Sequence, residues 1–201
     1  MQAAITALRQ GQVIGLPTET LFGLAADPFQ PEAVARLIRM KERPPEKGFI
    51  LLIPDARSLT GLIEPPGSLA LRLMERFWPG PLTLVLPACS DLPPVLTGGT
   101  GFLAVRHSPS PVVERLLALW RGPLISTSAN RAGEPPPPTT EAVRHIWRHE
   151  ALMVIDGLIR PDAEPSTLLR VAGEQATLLR PGAIPLAALQ PLISHHSGRQ
   201  I

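Results

Sequence analysis

Three cations, Lys41, Arg43 and Lys47, fall within the stretch K-E-R-P-P-E-K-G at residues 41–48. Cations held around a rigid Pro-Pro turn suit a polyphosphate or a carboxylate, because each presents several N–H donors to anionic oxygens. A solvated charged loop is the competing reading of the same residues. The lysine count favours a specific need: Lys41 and Lys47 are the only lysines among nineteen Lys and Arg. A chain that uses arginine everywhere else places a compact ammonium at these two positions. Two polar clusters stand elsewhere, Pro17-Thr18-Glu19-Thr20 and Ser126-Thr127-Ser128-Ala129-Asn130. Each follows a short apolar run, and the ends of strands in open α/β sheets are where ligand groups gather. Helix capping and plain turn chemistry account for such residues equally well. The Thr97-Gly98-Gly99-Thr100-Gly101 run has only the outward look of a phosphate cradle, since no G-x-x-x-x-G-K-[ST] occurs in the chain. His145 and His149 lie four apart but lack a Glu motif and a third ligand, so no metal site is read there.

These groups need elements to position them. Val34, Leu37 and Ile38 recur at helical spacing, with Lys41 next in line, which aims its ammonium along the buried side of the helix end. Pro44 ends that helix and leaves Arg43 on the break. Phe49 to Ile53 is short and wholly apolar and reads as a buried strand. The remaining pattern predicts helices over 2–10, 32–41, 68–77 with Ser68 as cap, 140–149 and 185–193, and one opened by Ser110-Pro111 and closed by Gly122. Strands are expected over 13–16, 82–86, 103–106, 124–126, 152–155, 166–171 and 177–180, with Phe22-Gly23-Leu24 packing behind the first. The last two, joined at Gly173-Glu174, make a hairpin, so the sheet is expected to be mixed. The four prolines at 135–138 read as a mobile lid or linker, and 194–201 as a frayed tail beyond a single domain over 1–193.

Composition bounds the function. A formal charge of +2 is weak evidence for a polyanionic partner, and a lone cysteine, Cys89, excludes an internal disulfide and a cysteine-based zinc cluster. No apolar run approaches the roughly 18 residues of a membrane span, and no signal peptide is evident. A cytoplasmic protein with no membrane partner is expected.

In order, P-T-E-T-L-F-G-L, K-E-R-P-P-E-K-G, W-P-G-P-L-T, A-V-R, S-T-S-A-N, P-S-T and L-R-P-G-A resemble the YrdC-like family, the L-threonylcarbamoyladenylate synthases, in its short single-domain form. The resemblance covers about Val13 to Ala183. It implies a twisted, open α/β fold with a mixed sheet, flanking helices and a concave, positively charged face. The implied reaction joins L-threonine, bicarbonate and ATP to give threonylcarbamoyl-AMP and pyrophosphate, for threonylcarbamoylation of tRNA. Lys41, Arg43, Lys47, Ser128 and Asn130 match the family's signature around the nucleotide and its phosphates, the three cations as the catalytic set, and Arg180 matches its later ATP-contacting arginine. Thr18 or Thr20, Arg106, Ser126 and Ser166 match the threonine and carbamate pocket. Mg²⁺ is expected to arrive with ATP rather than in a protein-built metal site. Weak, salt-dependent tRNA binding and the proteins of the threonylcarbamoyl transfer machinery are the further partners implied.

The chain departs from the family at Phe22, a tyrosine in many relatives, and at Leu52, a histidine in some longer ones. Pro109-Ser110 replaces an Asp-His pair, and Arg170 replaces an acid after P-S-T. The longer relatives' second domain is not expected here. Two other readings compete. An RNA-binding module without chemistry is disfavoured by the modest charge and the lack of a stacking-aromatic motif. Carbamoyl transfer in hydrogenase maturation lacks its accompanying zinc-finger and acyl-phosphatase-like regions.

Overall fold

The computed structural model describes residues 1–44, 46–150, 152–159 and 162–193. The expected tail at 194–201 lies outside them. Among the described residues a nine-stranded sheet forms the frame: β1 (Ile14–Pro17), β2 (Phe22–Ala26), β3 (Ile50–Leu52), β4 (Leu82–Pro87), β5 (Phe102–Arg106), β6 (Leu124–Ser128), β7 (Met153–Val154), β8 (Thr167–Ala172) and β9 (Gln175–Arg180). Their order across the sheet is β7-β1-β2-β6-β3-β5-β4-β8-β9. Three pairs are parallel (β1 with β7, β3 with β5, β4 with β8) and the other five antiparallel, so the sheet is mixed and open as expected.

Side chains alternate across the sheet and divide the core in two. On one face α1 (Gln2–Arg9) and α5 (Pro111–Trp120) cover Ile14, Leu16, Ala25, Leu52 and Leu124. On the other, α2 (Pro31–Lys41), α3 (Ser68–Phe77), the single-turn α4 (Pro94–Thr97), α6 (Thr140–Ile146) and α7 (Leu186–Ile193) pack with Leu24, Leu51, Ile53, Leu84, Val105 and Leu169. Leu51, Leu52 and Ile53 alternate between the two faces, which is why the whole run had to be apolar. No helix among the described residues is long and apolar enough to cross a membrane.

Four local expectations are corrected. Phe22-Gly23-Leu24 does not pack behind β1 but opens β2, which pairs with β1 as an antiparallel hairpin. Its five residues are all buried, so no alternation marked it. Ser68 is the first helical residue rather than a cap. The α3 N-terminus is instead met by Glu174 of the β8–β9 turn, which accepts from Ser68 Oγ at 2.6 Å and from the Leu69 N–H at 3.2 Å, a carboxylate on the positive end of the helix dipole. Helix α5 ends in a left-handed Arg121, φ 64°, one residue before Gly122. Helix α6 stops at Ile146, so His145 and His149 do not share a helix.

Candidate active site

A cavity of about 360 Å³ opens among the β1–β2 turn, β6, the end of β5 and the β8–β9 hairpin. Its wall includes Thr18, Thr20, Arg43, Arg106, Ser126, Ser128, Asn130, Ser166 and Arg180, nine of the eleven residues singled out from the sequence. Lys41 and Lys47 are not on it. Phe22, Gly23, Ile50, Thr127, Pro136 and Pro165 also line it, and among the described residues no carboxylate does.

Lys41 ends α2 and is only 7% exposed. Its ammonium donates to the carbonyl of Ser128 at 2.8 Å and to that of Asn130. The stripe of Val34 and Leu37 thus carries the lysine under the end of β6, where it braces the backbone of the polar cluster instead of facing the cavity. The helix closes at Lys41 because Glu42 turns left-handed, φ 46°, two residues before Pro44. Burial lowers the Lys41 pKa from 10.5 to about 8; Arg43 adds to the fall and Glu134 opposes it. Between about pH 8 and 10.5 the unfolded chain therefore binds more protons at this residue than the folded one, so its contribution to stability should become more favourable as pH rises through that window. Denaturant unfolding of the parent and of Lys41→Met at successive pH values checks this: the stability difference should move in the parent's favour across the window, and a flat difference refutes it.

The three cations are not a symmetric cluster around the Pro-Pro turn, because the backbone claims two of them. Arg43 donates through Nε to the Lys47 carbonyl at 2.9 Å and through Nη2 to that of Gly48, with its guanidinium 4.5 Å from the Phe49 ring centre. It fixes its own loop while lining the cavity, and burial lowers its pKa. Lys47 is exposed. The glycine run at 97–101 does not line the cavity either. A Cβ on Gly48 would lie 2.7 Å from the Leu96 carbonyl oxygen, one on Gly98 would strike that of Glu46, and the Phe49 N–H donates to Leu96 O at 2.8 Å. These glycines let the two loops meet backbone to backbone.

Asn130 uses its amide nitrogen within the chain, donating to the carbonyls of Arg131 at 2.8 Å and Glu134 at 2.7 Å; its Oδ1 is buried without a partner. The proline-rich segment is thereby tied to the polar cluster, and Pro136 reaches the cavity wall. Trp147 supports the same corner from below, donating its indole N–H to Ala129 O at 2.6 Å.

The two threonines differ. Thr18 Oγ1 donates to Leu21 O at 2.7 Å and accepts from the N–H groups of Thr20 and Leu21, so it is committed to the turn. Thr20 Oγ1 lies 3.0 Å from Thr18 Oγ1 and accepts from Arg106 Nη1 at 3.3 Å. Opposite, Arg180 Nη2 donates to Ser166 O at 2.8 Å and to Ser166 Oγ at 3.2 Å. Thr83 of β4, fully buried, holds Ser166 Oγ at 2.8 Å. Sequence reasoning missed Thr83; its signal was a polar residue inside the apolar run of β4. Burial lowers the pKa of Arg106 and of Arg180; at Arg106, Glu19 opposes the fall and Arg180 deepens it. Arginine keeps its charge through such shifts. The wall therefore presents three guanidinium cations and several hydroxyls, donors that can hold two anionic groups side by side.

The family model Sua5/YciO/YrdC, described as telomere recombination, matches residues 6–182. The chain is 41% identical over 165 residues to a threonylcarbamoyl-AMP synthase of Chromohalobacter salexigens, covering 82% of this chain and 89% of that one. It is 37% identical, with the same coverage, to a threonylcarbamoyl-AMP synthase of Coxiella burnetii. Among solved structures, Pyrococcus abyssi Sua5 complexed with L-threonine superposes with a TM-score of 0.90 at 34% identity, over 96% of this chain and 56% of that one. The present chain thus spans little more than half of the Pyrococcus protein. Escherichia coli YciO shares the fold, with a TM-score of 0.83 at 22% identity over 93% of this chain and 91% of that one.

Proposed function

The chain belongs to the Sua5/YciO/YrdC family, and from that membership and the chemistry of its cavity we propose that it is an L-threonylcarbamoyladenylate synthase, converting L-threonine, bicarbonate and ATP to threonylcarbamoyl-AMP and pyrophosphate. The observation that carries the reading is the wall itself: Arg43, Arg106 and Arg180 around hydroxyls and an amide, with no carboxylate. Threonine and bicarbonate condense to the carbamate with loss of water and a proton. A carbamate oxygen then forms a bond to the α-phosphorus of ATP as the bond from that phosphorus to the bridging oxygen breaks, and pyrophosphate leaves. Two anions must be brought together, so positioning and charge neutralisation supply most of the acceleration.

Arg106, Thr20 and Ser166 would take the threonine carboxylate and carbamate, with Thr20 rather than Thr18 as the offered hydroxyl. Arg43, Arg180, Ser128 and Asn130 would take the nucleotide. Lys41 acts by holding the carbonyls of Ser128 and Asn130 in place. Among the described residues the wall offers no carboxylate, so its lining does not fit a resident divalent ion; Mg²⁺ would be held by the oxygens of ATP.

Pyrophosphate release should require threonine and bicarbonate together, because neither alone gives the nucleophile. The assay measures pyrophosphate with each component omitted in turn. Undiminished release without threonine would leave a plain ATPase and end the proposal.

A further inference from the structure

Arg106 is 5% exposed, its Nη1 donates to Thr20, and its Nε–H is buried with no acceptor. A guanidinium has five N–H groups, and burying its charge without compensation is costly. The carboxylate set against it is Glu19, a member of the Pro17–Thr20 polar cluster of the sequence that had no role assigned to it. Glu19 Oε1 lies 3.6 Å from Arg106 Nη2, outside hydrogen-bond range, and is itself buried without a hydrogen-bond partner. The other oxygen, Oε2, accepts the hydroxyl of Ser108, whose Oγ in turn accepts the N–H of Ser110 at the start of α5. Glu19 is therefore tethered on the side away from the arginine. It lines a second cavity, of about 650 Å³, which shares Thr18 and Thr20 with the first but not Arg106. The pair straddles the turn, with its cation in the wall of one cavity and its anion in the wall of the other.

A pair held just too far apart to bond, with an unpaired atom on each member, balances charge without locking the arginine. We propose that Glu19 is the internal counter-ion of Arg106: it compensates the guanidinium while the cavity is empty, yields that part to the substrate carboxylate on binding, and so limits how tightly the substrate is gripped. This rests on the reading that a carboxylate-bearing substrate binds at Arg106. Glu19 is a positioning residue here, acting through Arg106 and not on the reacting atoms.

Glu19→Gln keeps the shape and an oxygen for Ser108 but removes the charge. In the empty variant the guanidinium loses its compensation, and a bound carboxylate restores it. The variant should melt below the parent when empty, and saturating L-threonine should raise its melting temperature by more than it raises the parent's. Removing one negative charge near another should lower KM for threonine about three- to tenfold, with kcat falling alongside because the tighter grip is already present in the ground state. Ser108→Ala, which loosens the tether but keeps the charge, should melt lower with an unchanged threonine shift. Equal threonine shifts in parent and Glu19→Gln, or a KM that rises, overturn the proposal. If L-threonine shifts neither protein, the substrate reading fails; inorganic pyrophosphate then becomes the probe, a larger gain in the variant sustaining the counter-ion and equal gains refuting it. Should Glu19→Gln not fold, Glu19→Asp, with its charge drawn back by one methylene, is expected to move in the same direction by a smaller amount, and parental shifts there overturn the proposal as well.

Discussion

Lys41→Arg is expected to lose about 100-fold in adenylate synthesis, as a displacement of about an ångström in a positioning group can cost. The ammonium lies under the end of β6 and reaches two carbonyls, those of Ser128 and Asn130, from one small volume. A guanidinium keeps the charge but is wide and planar. At 7% exposure it would have to push the strand end, and with it Ser128 and the Asn130 carboxamide, out of place. Overpacking of this kind costs about 1–3 kcal/mol of stability. Lys41→Met fits the space but leaves two carbonyls without their donor. At about 1–3 kcal/mol for each buried group left unpaired, it should lose about 2–4 kcal/mol, since water reaches part of the site. Pyrophosphate release and denaturant unfolding of both variants check this, and near-parental turnover in Lys41→Arg would show that the lysine braces nothing that matters.

Arg106→Lys should be as damaging by a different route. The fork now reaches Thr20 on one side and stands against Glu19 on another while lining the cavity. An ammonium cannot span those directions at once, so kcat/KM for threonine is expected to fall about 100-fold. Because Glu19 keeps a cation nearby, stability should change far less than in Arg106→Met, where a carboxylate is left alone and about 3 kcal/mol is expected to go. Steady-state kinetics and thermal melts of the two variants separate the effects. An Arg106→Lys enzyme within threefold of the parent would remove Arg106 from the substrate contacts.

Features written into local pattern were legible in the sequence. The stripe from Val34 to Lys41 gave the helix and the inward direction of the ammonium, and the unbroken Phe49–Ile53 run gave a strand buried on both faces. The hydroxyl clusters at Thr18–Thr20 and Ser126–Asn130 were visible as types at strand ends, although only the structure brings them to one cavity. Pairings set by register were not legible. Ser166 depends on Thr83 through the parallel pairing of β4 with β8. Glu174 meets the start of α3 across 105 residues of chain. Glycine in Phe22–Ala26 reads locally as a turn, yet Gly23 is there because a Cβ would come 3.2 Å from both Ser126 Oγ and the Thr127 carbonyl oxygen on the neighbouring strand. Lys47 shows the converse limit, since a charge and a position in a motif do not say whether the backbone will hold it.

The β8–β9 hairpin stands at one end of the sheet, joined to the rest through β4, and it carries Arg180, with Ser166 immediately before β8. Edge elements open by local fluctuation well before the whole domain unfolds. An anion held between Arg180 on this hairpin and the groups of β6 near the centre would act as a tie across the intervening strands. Amide hydrogens of Thr167–Ala172 and Gln175–Arg180 should then exchange more slowly in the ligand-bound protein, while those buried at the sheet centre, already limited by global opening, gain only what the whole molecule gains. The reach of the substrate would be measured as protection at the rim of the sheet, far along the chain from the residues of β6 that hold its other end.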